Sequence, residues 1–210
     1  MSLTLADRLD PKRSMLLVID MQNDYCHPKG TAGGRGRDLG FIGEMIPRLL
    51  RLIDDARKQQ FPICFVRTIA NDWTNSPVWT EFKDKKNLAG AEGTWGAEFY
   101  PGLEPMKGEL VITKHRYSAF IGTNLDQILR SRGVDSLIMT GVGTGMCVFQ
   151  TLSVGFMLDY YITLVEDCAA TSYGPEDHKQ AVAHIKKHFG LIATSTEIMD
   201  IWSRKLRRAG

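Results

Sequence analysis

Apolar residues along this chain fall into two rhythms. Six short runs are apolar without in/out alternation: 15–20 (MLLVID), 62–68 (PICFVRT), 110–114 (LVITK), 136–141 (SLIMTG), 161–167 (YITLVED) and, more weakly, 191–195 (LIATS). Short runs rich in Val, Ile and Leu are what strands covered on both faces require, as in a parallel sheet. Between them the apolar spacing turns helical. Over 41–59 it falls on Ile42, Met45, Ile46, Leu49, Leu50, Leu52, Ile53 and Ala56, a stripe along one face of a helix. Further helices are expected over 123–132, stopping before Gly133, and over 145–158. Two more cover 175–189, opening on Pro175 and closing at Gly190, and 195–207, capped by Ser195 or Thr196. Strands alternating with helices predict right-handed βαβ units and a three-layer α/β/α sandwich around one parallel sheet.

Residues 69–109 break this rhythm and contain three of the four tryptophans, Trp73, Trp79 and Trp95. A long irregular insertion in an α/β domain is commonly a lid or a binding loop. The aromatic residues fit either core packing or a pocket wall there, or an interface between subunits. No repeat, linker or low-complexity tract interrupts the 210 residues, which predicts a single domain over 1–210.

Composition narrows the function classes. With 43% apolar and 24% charged residues the chain is an ordinary globular sequence rather than a disordered one. Lys and Arg number 26 against 24 Asp and Glu, a net charge of +2. That balance gives no footprint for nucleic acid or an anionic membrane. The first residues are polar, without the apolar core of a signal peptide, and no run approaches the ~20 residues of a membrane helix. Cys26, Cys64, Cys147 and Cys168 are widely spaced, which supports neither a zinc ribbon nor a redox pair. A cytoplasmic, reduced protein is the expectation. The basic end of the chain, 204–210, reads as a helix terminus with cations favourable to its dipole.

Ligands of open α/β sheets bind beyond the carboxyl ends of the strands. There the chain places Asp20, then Gln22; Arg67; Lys114, then Arg116 and Tyr117; and a glycine-rich GVGTGMC turn carrying Cys147. A helix start and a nearby Lys lower a thiol pKa. A carboxylate can take the thiol proton and return it to a leaving amine, and backbone N–H groups can hold an oxyanion. Each residue also has a structural reading: a buried Cys, a capping Asp, a solvated Lys. The other cysteines read as core or loop thiols, Cys26 lying near enough to line a pocket. His115 is expected to point away from Lys114. His178, His184 and His188 share one helix; the last two have i, i+4 spacing but no third ligand, so a solvated face is expected.

Three segments, 16–25 (LLVIDMQNDY), 112–120 (ITKHRYSAF) and 140–152 (TGVGTGMCVFQTL), resemble the isochorismatase-like family of cysteine hydrolases, with matching order and spacing. The resemblance implies a six-stranded parallel sheet, with Asp20 as general acid/base, Lys114 supporting the thiolate and Cys147 attacking a substrate carbonyl. It implies an oxyanion hole at Gly143 and Cys147, a non-proline cis peptide at Val142–Gly143, and a homo-oligomer, a dimer or tetramer. Family members that cleave a vinyl ether lack the Cys; its presence implies hydrolysis of a carbon–nitrogen bond through an acyl-enzyme. Nicotinamidases carry an Asp-x-His metal motif after the second strand, where this chain reads RTIANDWTN (67–75). Neither a metal nor another cofactor is therefore expected. The KHRYSAF stretch is similar to ureidoacrylate and biuret hydrolases, and the turn before Cys147 is similar to carbamoylsarcosine amidases. The resemblance thus points to a small ureido or carbamoyl amide. The substrate-binding candidates are Gln22, Arg67, Trp95, Arg116, Tyr117 and Gln150. Another small amide, or a non-catalytic binding relative, are the alternatives.

Overall fold

The computed structural model describes residues 3–81 and 88–209, with side chains as far as Arg204; the side chains of the basic end lie outside the described residues. The apolar runs form β1 (Ser14–Ile19), β2 (Ile63–Thr68), β3 (Leu110–Lys114), β4 (Ser136–Val142), β5 (Tyr161–Ala170) and β6 (Gly190–Ala193). All neighbours pair in parallel, in the order β3-β2-β1-β4-β5-β6. Every residue of β1 is buried, as a central strand covered on both faces demands.

The helices are α1 (Asn23–Cys26), α2 (Thr31–Gly34), α3 (Gly40–Lys58), α4 (Pro77–Glu81), α5 (Leu125–Ser131), α6 (Phe149–Met157), α7 (Pro175–His188) and α8 (Ser195–Ala209). The sheet separates two cores. On one face Leu16, Val18, Phe65 and Ile138 pack on Met45, Leu49, Leu52 and Ile53 of α3 and on Ile198 and Trp202 of α8. On the other, Leu17, Ile19, Val66 and Met139 pack on Leu125 and Leu129 of α5, Leu152 of α6 and Ile185 of α7. The alternation of β1 residues between the two clusters is the two-residue period of a strand. Among the described residues no helix is long and apolar enough to cross a membrane.

The strand order reverses direction between β1 and β4, and the crevice that opens there is where such sheets bind ligands. Gly141 lets the two strands approach. Its φ is +106°, and a Cβ would lie 2.1 Å from the Ile19 carbonyl oxygen. The helix expected from 145 instead opens as a π-turn, Thr144–Val148, before α6 begins. The insertion contributes α4 and a short 3₁₀ turn, Trp95–Ala97.

Candidate active site

Asp20 follows β1 with a left-handed backbone, φ +53°, a conformation rare outside glycine that collects at functional sites. Its carboxylate is 1% exposed and Lys114, ending β3, is 0% exposed. The Lys114 Nζ donates to Asp20 Oδ2 at 2.8 Å, to Thr68 Oγ1 at 2.6 Å and to the Arg116 carbonyl at 3.2 Å. The Thr68 hydroxyl, ending β2, in turn donates to Asp20 Oδ1 at 3.0 Å. Each carboxylate oxygen of Asp20 therefore has its own fixed donor. Burial alone would pull the ammonium down, and the Asp20 charge with the hydrogen bonds of the site outweighs it, so Lys114 is held above the ordinary lysine value.

Cys147 is the fourth residue of the π-turn, half-buried, with its thiol in reach of both Asp20 and Lys114. Burial first, then the Asp20 charge, pushes the thiol up to about 12, against the pull of Lys114. This corrects the expectation of a thiol lowered by the helix start. Burial and the neighbouring carboxylate, which a thiolate would repel, favour the proton on sulfur. The arrangement is thus a thiol beside a buried carboxylate–ammonium pair. The Val142–Gly143 peptide is cis, and the Gly143 carbonyl accepts the Met146 and Val148 amides, which folds the turn.

A cavity of about 160 Å³ opens over this group. Asp20, Gly143, Cys147, Arg116 and Tyr117 line it, and Lys114 lies beneath. Four candidates lie elsewhere. Gln22 is fully buried; its amide donates to the Thr68 and Ala97 carbonyls and accepts the Thr68 amide. It clamps β2 to the insertion and has no group turned to a ligand. Arg67 alternates with Thr68 along β2 and so points away from the site, donating to Thr113 Oγ1 and facing a second recess with Asn71 and Glu92. Gln150 is exposed on α6. Trp95 is 46% exposed and sets its ring edge-on to His27.

Trp79, on α4, is the tryptophan of the cavity wall. It packs on the Tyr117 ring at 4.8 Å and carries the Arg116 guanidinium at 5.0 Å from its ring centre. Trp73 is 97% exposed, neither core nor wall. Cys26, Cys64 and Cys168 are buried in the cores, and burial pushes their thiols up; Cys26 does not reach the cavity. His115 holds the Ile69 carbonyl through Nδ1 at 2.7 Å and lines both the cavity and the second recess. His184 and His188 stack near Phe149 and Phe189. His178 is buried rather than solvated, because the start of α7 packs on the π-turn that carries Cys147. No cluster of three or more potential metal ligands occurs among the described residues.

Several cavity residues escape a reading of the sequence. Tyr25 sits beside Thr68; burial, Asp20 and Cys147 hold its phenol well above the ordinary value, so it stays protonated. Asp24 is 7% exposed and accepts from the Thr31 amide and hydroxyl and from the Gly90 amide. Both stand in the 16–25 motif without a distinguishing signal. Arg35 and Arg37 reach the cavity mouth from the loop after α2, and Arg37 stacks on Tyr173 at 3.8 Å. Their glycine-rich surroundings carry no periodicity to mark them.

Residues 14–197 match the isochorismatase domain family. The chain belongs to that family. It is 32% identical over 205 residues to the ureidoacrylate amidohydrolase RutB of Caulobacter segnis, covering 90% of this chain and 85% of that one. It is 33% identical to the same-named protein of Methylobacterium radiotolerans, covering 88% and 78%. Among solved structures it superposes on a cysteine hydrolase of Pseudomonas syringae with a TM-score of 0.82 at 23% identity, covering 93% and 94%, a likeness of fold. N-carbamoylsarcosine amidase of Thermoplasma acidophilum gives a TM-score of 0.72 at 25% identity, covering 87% and 96%.

Proposed function

We propose that this chain hydrolyses a small ureido or carbamoyl acid through a covalent intermediate on Cys147. The chain is an amide hydrolase, acting on carbon–nitrogen bonds other than peptide bonds. The finer reading rests on one observation: a buried Asp20–Lys114 pair beside the Cys147 thiol, under a cavity whose mouth carries Arg35, Arg37 and Arg116. The relatives named for ureidoacrylate and the neighbour named for carbamoylsarcosine support the same class. Both substrates carry a carboxylate, which guanidinium groups recognise with planar, paired hydrogen bonds.

The chemistry proceeds in two halves. Asp20 takes the thiol proton as Sγ bonds to the carbamoyl carbon, and the carbonyl oxygen gains negative charge toward the Gly143 and Cys147 amides. Asp20 then gives the proton to the leaving nitrogen, the carbon–nitrogen bond breaks, and the acyl group stays on sulfur. Water attacks that carbonyl while Asp20 takes its proton, the carbon–sulfur bond breaks, and Asp20 passes the proton to the departing sulfur, returning both the thiol and the carboxylate. Lys114 stays charged throughout and holds the Asp20 carboxylate in place beside the sulfur.

The test is ammonia release from ureidoacrylate, N-carbamoylsarcosine, biuret, triuret and nicotinamide, by wild type and Cys147→Ala. Turnover of an anionic ureido or carbamoyl acid, lost in Cys147→Ala, is expected. Arg37→Gln should raise KM for that acid while leaving any slower turnover of neutral biuret little changed. Turnover of nicotinamide alone, or activity retained without the Cys, overturns the reading.

A further inference from the structure

The nucleophile turn is tied from outside the site. Its first residue, Thr144, is fully buried, and the Thr144 hydroxyl meets Nδ1 of His178 at 2.9 Å. His178 lies in the first turn of α7 and is 8% exposed. The Phe41 ring, from the start of α3, packs against the imidazole at a centroid distance of 5.0 Å. α7 closes on the turn at a second point: a Cβ at Gly145 would lie 3.6 Å from the Asp177 carboxylate and 3.8 Å from the Ala181 methyl. The imidazole touches neither Asp20 nor Lys114 in the hydrogen-bond network of the site, so it has no part in the proton transfers above.

We propose that His178 is a positioning residue, which through Thr144 fixes where the turn presents the Cys147 sulfur and the Gly143 and Cys147 amides. The inference rests on the reading of Cys147 as nucleophile. A π-turn is wider than an α-turn, and such turns occur mostly singly, frequently at functional sites. Here β4 anchors the turn at one end and α6 at the other. The Thr144–His178 hydrogen bond is a side-chain tether between those anchors. Attack needs sulfur within ~3–3.5 Å of the carbonyl carbon, and a displacement of ~1 Å can cost ~10²-fold in rate. A bond three residues from the sulfur is well placed to hold that tolerance.

The experiment compares Thr144→Val, which keeps the shape and removes the hydroxyl, with His178→Leu, His178→Asn and the Thr144→Val/His178→Leu pair. With the best ureido acid, each of the two disruptive single variants should lose roughly 10²-fold in kcat with KM nearly unchanged. The double variant should lose no more than the worse single, since both remove one bond. His178→Asn, whose short amide can meet the hydroxyl, should recover most of the kcat. Full kcat in Thr144→Val, or losses that multiply in the double variant, overturns the proposal. If His178→Leu does not fold, Thr144→Val and His178→Asn decide the matter. If wild type turns over no ureido acid, the functional reading has failed separately, and the tether is judged without substrate. The pH profile of Cys147 alkylation by iodoacetamide, with Cys147→Ala as blank, should then shift in Thr144→Val, and an unchanged profile overturns the tether.

Discussion

The Lys114 ammonium lies 2.8 Å from Asp20 Oδ2, and neither side chain reaches solvent. Two charges from strands on opposite sides of β2 are brought together at the floor of the cavity, each neutralising the other. Removing one partner of such a pair strands the other charge. Lys114→Met should therefore destabilise the fold by about 3–5 kcal/mol. Adding Asp20→Asn, which leaves no charge behind, should recover part of that loss. Urea titration of the three variants and wild type measures both. Equal stability of wild type and Lys114→Met would show the pair to be solvated.

The Asp20 charge also holds the proton on Cys147. The sign of its removal follows. With Asp20→Asn, burial still raises the thiol, but the repelling carboxylate is gone and Lys114 remains to favour thiolate. The thiol should then ionise at lower pH than in wild type, and alkylation by iodoacetamide at pH 7.5 should quicken. Turnover should nonetheless fall by roughly 10²–10⁴-fold, because the proposed base is missing. Slower alkylation in Asp20→Asn would contradict this arrangement.

Asp24 works as a staple rather than an acid. Its carboxylate ties the start of α2, through Thr31, to Gly90 in the insertion, at 2.7–2.9 Å. Asp24→Ala abandons three hydrogen bonds at a buried site and should cost about 1–3 kcal/mol. Because both tied segments border the cavity, KM should rise more than kcat falls. Gly96→Ala should act in the same direction, since its Cβ would lie 2.4 Å from the Asp24 carboxylate. Melting temperature and steady-state kinetics of both variants check this.

Burial holds His178 below the ordinary histidine value of 6.5, against a weaker pull from Asp177 on the same helix. The groups packed on it from other elements, Phe41 of α3 and Thr144 of the turn, carry no charge. The folded state thus binds fewer protons than the unfolded chain below about pH 6.5, and stability rises with pH through that window. Stability should fall as pH drops below 6.5, with the loss levelling off once the folded-state value is passed. His178→Asn should flatten that slope between pH 7.5 and 5. An identical slope would assign the acid sensitivity to other groups.

The sequence by itself determined the strands, the layers and the line of chemistry along one sheet edge. A strand covered on both faces must be apolar at every position, and a helix on the sheet must carry a stripe, so both patterns survive in one dimension. Asp20, Lys114 and Cys147 were legible for a related reason. Each ends or follows an apolar run, and a parallel sheet brings all such ends to one side. Which side chains at that edge face the ligand was decided only in three dimensions. Arg67 and Thr68 are neighbours in sequence, yet strand alternation sends one to the outer recess and the other onto Asp20. Gln22 has the chemistry of a ligand group, but its hydrogen bonds are spent on β2 and the insertion. Arg35 and Arg37 reach the cavity from an aperiodic loop whose path depends on what it packs against. The Cys147 thiol shows the same limit: its neighbours in sequence argue for a low pKa, and burial beside Asp20, a contact across 127 residues of chain, reverses it.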